Sequence, residues 1–291
     1  MPWQQITLYT TKEHAEALSD HLSALGAASV TMQDAADQPL YEPPPGATPL
    51  WKMTNVVGLF DEGVDMAELL RHLTESYPQP LPEYRLEELE DQDWERAWMD
   101  DFQPMQFGER LWIVPSWCEA PDTGGVNILL DPGLAFGTGT HPTTRLCLEW
   151  LDAHPPAGTR VIDYGCGSGI LAIAAALLGA SSVIGVDLDP QAIIASDENA
   201  QRNRVSEVIA AYLPNQEPDE AVELLLANIL AGPLAELAPL FAARVVSGGA
   251  LVLSGILSDQ AEGLREVYSE WFAMAPAVEL DGWIRLEGIR K

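Results

Sequence analysis

The rhythm of apolar and polar positions divides the chain into two regions. In the first, Trp3 to Thr10 alternates with period two and reads as a strand, and Ala28 to Gln33 alternates again. Between them, Lys12 to Leu25 carries the helical stripe Ala15, Leu18, Leu22, Leu25. The segment Pro39 to Pro49, with Pro43-Pro44-Pro45-Gly46, cannot be helical and reads as an exposed loop. A strand at Thr54 to Phe60, a helix at Met66 to Tyr77 and a strand at Tyr84 to Leu89 follow. The order βαββαβ predicts a smaller, ferredoxin-like α+β domain over residues 1–90.

Residues 91–125 read as a linker and bridging segment. It opens on the acidic, Trp-rich run Asp91 to Asp101, in which Trp94 and Trp98 lie one helical turn apart and share a packing face. Short strands are expected around Leu111 to Val114 and Asn127 to Leu130. From residue 126 to 291 the rhythm changes to compact apolar runs alternating with helical stripes. Strands are predicted at 160–163, 182–187, 207–212, 222–227 and 249–254, with helices at 170–178, 190–202, 233–244 and 258–270. A closing pair near 277–280 and 283–289 is separated by Asp281-Gly282 and reads as a hairpin. The alternation predicts a doubly wound α/β domain.

Chemistry enters at the first turn of that domain. Val161 and Ile162 form a buried strand that delivers Asp163 and then Gly165, Gly167 and Gly169 to the carboxyl edge of a sheet, where a backbone without Cβ atoms can press against a ligand. A dinucleotide fingerprint would need its third glycine where Ile170 stands, and no phosphate-binding Lys is nearby, so pyrophosphate is disfavoured. Asp163-x-Gly-x-Gly-x-Gly resembles the cofactor motif of the Rossmann-like, class I S-adenosyl-L-methionine methyltransferases. Asp187, ending the next strand, then takes the ribose-acceptor position. Asp163 has a second reading, in which it caps the amides of the turn.

Two further loops belong to the same edge. Asp131 to Thr144 is rich in glycine and hydroxyls, but His141 stands where a phosphate loop needs Lys. It suits a cover over the cofactor, with Phe136 excluding water and a threonine hydroxyl at the methionine end. Thr140 or His141 can also cap the helix that starts near Pro142. His141 as a metal ligand is disfavoured, since no second His or Cys lies at a ligand spacing. The third loop, Asn228-Ile229-Leu230-Ala231, ends the fourth strand, and the amide of Asn228 can position an amine there.

Asp131 to Thr144, Val161 to Ala176, Asp187-Leu188-Asp189-Pro190 and Asn228 to Ala231 together resemble the PrmA family, which trimethylates large-subunit ribosomal protein eleven. The likeness runs over nearly the whole chain. It implies that Thr144, Gly165, Asp187 and Asn228 contact S-adenosyl-L-methionine, and that Asp163, Gly167, Phe136 and Thr138 complete the site. It also implies that the loop around Phe136 to Thr140 closes over the cofactor and that the amino-terminal domain recognises the substrate. The Asn228 loop lacks the Pro-Pro-Tyr of amide- and adenine-modifying relatives, which favours a lysine or amino-terminal amine as acceptor. Arg204 also departs, following Asn203 where a glycine is common.

Charge narrows the partner. The 291 residues hold 44 acidic against 15 basic side chains, a formal −29, which repels free nucleic acid and attracts a basic protein. Cys118, Cys147 and Cys166 are scattered and suit reduced thiols. With no secretory signal and no run of apolar residues long enough to span a bilayer, the chain is expected to be cytoplasmic and free of membrane.

Overall fold

A computed structural model describes residues 3–36, 50–89, 102–121, 124–131 and 139–291. The Pro39 to Pro49 loop, Trp94, Trp98, Phe136 and Thr138 lie outside the described residues. Two compact units divide the chain, Met1–Trp98 and Met99–Lys291.

In the first unit, β1 (Trp3–Thr11), β2 (Ser29–Asp34), β3 (Met53–Asp61) and β4 (Tyr84–Leu89) form an antiparallel sheet in the order β2-β3-β1-β4. Helices α1 (Lys12–Ala24) and α2 (Met66–Ser76) supply the rest of the βαββαβ order. The ferredoxin-like expectation therefore holds at the level of strand order. The reason is periodicity: Thr54, Val56, Gly58 and Phe60 alternate inward along β3, while α1 buries Ala15, Leu18 and Leu22. They meet Ile6, Leu8, Leu69 and Leu73 in one core. Asp65 caps α2 by accepting the amides of Ala67 and Glu68 at 2.9 and 3.2 Å.

In the second unit, a small sheet of β5 (Met105–Phe107), β6 (Leu111–Val114) and β7 (Val126–Leu129) precedes α3 (Pro142–Ala153). The main chain then runs β8 (Arg160–Tyr164), α4 (Ile170–Leu177), β9 (Ser182–Val186), α5 (Pro190–Arg202), β10 (Ile209–Tyr212), β11 (Val222–Asn228) and α6 (Ala231–Arg244). It closes with β12 (Val245–Leu257), α7 (Ala261–Tyr268), β13 (Phe272–Met274), β14 (Val278–Leu280) and β15 (Trp283–Arg290). The strand order is β10-β9-β8-β11-β12-β15-β13, with β14 paired to β15. From β10 to β12 every pairing is parallel, and β15 runs against its neighbours. This is the Rossmann-like, doubly wound arrangement, reversing direction of winding between β8 and β11. Among the described residues, no helix is long and apolar enough to cross a membrane.

The apolar runs of β8, β9 and β11 exist because both sheet faces are covered. Alternate residues enter different layers: Val161, Leu224, Leu226 and Val252 pack with α3 and α4, whereas Ile162, Leu225, Ala227 and Leu253 pack with α6 and α7. Residues 105–114, assigned by sequence to the bridging segment, belong to the core of this unit. Phe107, Leu111 and Ile113 are fully buried against the α3 and α4 layer. Polar ties reinforce them, because buried Asp152 accepts the Glu109 amide at 2.7 Å and the Arg110 guanidinium at 3.2 Å. The boundary therefore falls near residue 99 and not near 126, since apolar burial, unlike acidic composition, decides where a domain begins.

Two other differences have local causes. The helix expected over 258–270 stops at Tyr268, and the three residues of β13 follow it, too few to show a period. Asp281 and Gly282 both take left-handed φ, 50° and 79°, as a tight two-residue hairpin turn requires. Arg204 also sits at φ 60° on the surface, which explains why a glycine suits that turn.

Candidate functional site

The carboxyl edge of the sheet at the β8/β11 reversal collects those of the predicted residues that the structure describes, while Phe136 and Thr138 lie outside them. Gly165 and Cys166 donate their amides to the Val186 carbonyl at 2.7 and 3.0 Å, so the glycine turn is strapped to the end of β9. From α5, the Ser196 hydroxyl donates to the Gly167 carbonyl at 3.0 Å and the Asn199 amide to the Ser168 carbonyl at 2.9 Å. Gly169 ends the turn and caps α4 at φ 78°. Cys166 is buried, and burial pushes its thiol up to about 12, so it is an inert small residue beneath the turn.

Asp187 accepts the Gly167 amide at 2.9 Å through Oδ2 and the Asp189 amide at 3.0 Å through Oδ1. Each oxygen keeps a further lone pair for a hydroxyl donor. Leu188 beside it leaves 83 % of its surface in solvent. Asp189 caps α5 through the Gln191 amide at 2.9 Å, with Pro190 in the first turn.

Asp163 is 1 % exposed. Its Oδ2 accepts the amide of Ala172, in the first turn of α4 and not in the glycine turn, at 3.0 Å, and Oδ1 is buried without a partner. Burial first, and the Asp187 carboxylate second, push its pKa up to about 7, against the one amide that lowers it.

On the other side of the reversal, the Asn228 side-chain amide donates to the Thr144 hydroxyl at 3.3 Å, which joins β11 to the first turn of α3. That leaves the Asn228 side-chain oxygen as an acceptor. His141 is the cap of α3, with its ring nitrogen accepting the Thr143 amide at 3.3 Å, and burial holds its pKa below the ordinary value. Thr140 does not take that role.

Sequence reasoning missed two participants. Ile229 is wedged between two glycines: a Cβ on Gly165 would lie 2.1 Å from Ile229 Cγ2, and a Cβ on Gly255 would lie 2.2 Å from the Ile229 carbonyl oxygen. Both glycines also need positive φ, 80° and 85°. The β8 turn and an irregularity in β12 thus fix the loop that carries Asn228. A lone glycine after a long strand run, at Ser254-Gly255, was the available signal. The second is Trp283, whose ring meets that of His141 edge-on at 4.7 Å. The pairing of β15 with β12 and β14 sets its position.

The family model described as "Ribosomal protein L11 methyltransferase (PrmA)" matches residues 2–291. The chain belongs to the PrmA family. Among its relatives, proteins named ribosomal protein L11 methyltransferase from Azotobacter vinelandii and Escherichia fergusonii are 55% and 56% identical. The matches cover 100% of both chains in the first case and 99% of both in the second. A crystal structure of ribosomal protein L11 methylase from Lactobacillus delbrueckii subsp. bulgaricus is 33% identical with a TM-score of 0.61. It covers 65% of this chain and 100% of its own. In this PrmA chain, that agrees with a Rossmann-like methyltransferase fold.

Proposed function

We propose that this chain transfers methyl groups from S-adenosyl-L-methionine to amino groups of ribosomal protein L11, on lysine side chains and at the amino terminus. The observation that carries the reading is the convergence of the glycine turn, Asp187 and the Asn228–Thr144 pair on one sheet edge, in a chain of the PrmA family.

The residues suit the cofactor chemically. Asp187 offers carboxylate lone pairs to ribose hydroxyls, Leu188 offers apolar surface that a planar base can cover, and Gly165 and Gly167 bring backbone without side chains to the edge. Asp163 supplies buried negative capacity toward a cationic ligand, and Thr144 and Asn228 supply polar groups for its amino-acid end. Phe136 and Thr138 belong to the same assignment as parts of the covering loop. When bound, S-adenosyl-L-methionine supplies an electrophilic methyl on a sulfonium centre.

The protein's task is then to hold an amine in line with that methyl and keep water out. Alignment of this kind contributes ~7 to 11 kcal/mol to a displacement. The acceptor must be neutral, although a free lysine amine has a pKa of ~10.4. Removal from water beside a cation lowers that value, so bulk solvent can take the proton. Asn228 positions the amine through its side-chain oxygen. The loop Asn228-Ile229-Leu230-Ala231 has no aromatic residue to stack a planar amide or base, which favours an amine.

The ferredoxin-like unit is assigned to substrate recognition, with the −29 charge drawing in a basic protein and disfavouring free nucleic acid and anionic membrane. The work belongs in the cytoplasm, where that substrate is made. Incubation with tritiated S-adenosyl-L-methionine and ribosomal protein from cells lacking the enzyme tests the reading. Label in ribosomal protein L11 is expected. Cofactor binding with no labelled protein would turn the assignment into a binding module.

A further inference from the structure

The described residues contain two buried aspartates, and they are treated oppositely. Asp152 is held by a guanidinium and a backbone amide. Asp163 has one amide on Oδ2, nothing on Oδ1, and no cation among its partners. A carboxylate stabilised as an anion in a protein interior collects two or three donors or a counter-ion. Asp163 has the donor set of a carboxylic acid.

We propose that Asp163 carries a proton in the ligand-free protein and releases it to solvent when S-adenosyl-L-methionine docks, so that cofactor capture and ionisation of this acid are one linked event. The inference rests on the cofactor assignment above. The ligand brings an ammonium and a sulfonium against a single carboxylate, a net positive charge, and positive charge beside Asp163 favours its anion. The O–H bond of the acid breaks, the electron pair stays on oxygen, and the proton leaves to buffer.

Among the described residues, the groups around Asp163 come from α4, the glycine turn, α3 and β9. α4 presents only backbone at Ala172, and the turn presents Cys166, whose thiol is held protonated. α3 presents Cys147, likewise pushed up to about 12 by burial, and Arg285 of β15 acts on that thiol. Asp187 at the end of β9 is the facing carboxylate, and its charge raises the Asp163 pKa further. His141, at the cap of α3, is held below its ordinary value by burial, which favours its neutral form.

Calorimetric titration of the full chain with S-adenosyl-L-methionine at pH 6.5, in phosphate and in Tris, reads the exchanged proton from the difference in heat. With the Asp163 pKa pushed up to about 7, release of a substantial fraction of a proton per ligand is expected, while the ligand's own α-amine stays protonated. Asp163→Asn should bind without proton release. Binding by the wild type with no exchange, or with uptake, overturns the inference and leaves the cofactor assignment standing; no binding in either buffer overturns both. Release that survives in Asp163→Asn assigns the proton elsewhere and also overturns it. Should that variant not fold, infrared difference spectra of the wild type decide. A carboxylic-acid carbonyl band must disappear on cofactor addition, and its persistence refutes the linkage.

Discussion

Pinning of Ile229 between two glycines makes a quantitative prediction, because the two contacts differ in kind. Gly165→Ala places a Cβ 2.1 Å from a side-chain methyl of Ile229, and the next nearest atom is at an ordinary 3.6 Å. Gly255→Ala places a Cβ within 2.2 Å of the Ile229 oxygen, 2.7 Å of its carbonyl carbon and 3.1 Å of its nitrogen, all backbone. Each substitution costs ~1–2 kcal/mol for the left-handed φ and a further ~1–3 kcal/mol for overpacking. Ile229→Ala removes the methyl that blocks position 165 and none of the atoms that block position 255. In a double-mutant cycle, Ile229→Ala should therefore recover ~1–3 kcal/mol from Gly165→Ala and nothing measurable from Gly255→Ala. Urea unfolding gives the stabilities, and calorimetry gives cofactor affinity, which should fall in both single variants as Asn228 moves. Equal rescue of both variants, or a Gly255→Ala protein as stable as wild type, would refute the wedge.

Three further outcomes are expected. Asp187→Ala should weaken S-adenosyl-L-methionine binding by ~1.5–3 kcal/mol, measured by calorimetry, and unchanged affinity would remove it from the site. A chain beginning at Met99, which keeps β5 to β7 in their core, should bind cofactor yet fail to methylate ribosomal protein L11; full turnover would contradict the recognition role of residues 1–90. In the ligand-free protein, the raised Asp163 pKa means that the folded state binds the extra proton, so its contribution is complete below pH ~4, declines up to pH ~7 and is flat above. The loss is on the order of 4 kcal/mol, and denaturant titrations of wild type against Asp163→Asn across that range should differ by a slope of this sign.

How far the fold could be read from residues depended on how much each element buries. β3 buries alternate and α2 helically spaced side chains, so their periods were visible in the sequence. β5 and β13 are three residues each and owe their existence to neighbours, Met105 to Ile113 and Phe272 to Arg290, that no local pattern reveals. The bridging segment was misplaced for a related reason. Its acidic opening carries no sign of the burial of Phe107, Leu111 and Ile113, which pack against residues far along the chain.

The site was legible where its chemistry is carried by contiguous backbone. Asp163, Gly165 and Gly167 are spaced by the turn itself, and Asp187 by the length of one helix and strand, so their meeting at Gly167 follows from topology. What fixes Asn228 was not legible, because it comes from β8, α3 and β12 at once: Gly165 beneath Ile229, Thr144 on its side chain, Gly255 behind. The same distinction separates the two acids. A carboxylate at the tip of a strand announces itself in sequence, but its ionisation depends on how many donors the fold brings to it. Asp187 receives two amides at a partly buried position, and Asp163 one amide at a position almost closed to solvent. Two aspartates placed by one motif thus end in different surroundings, and burial with a single amide donor is what pushes the Asp163 carboxyl up.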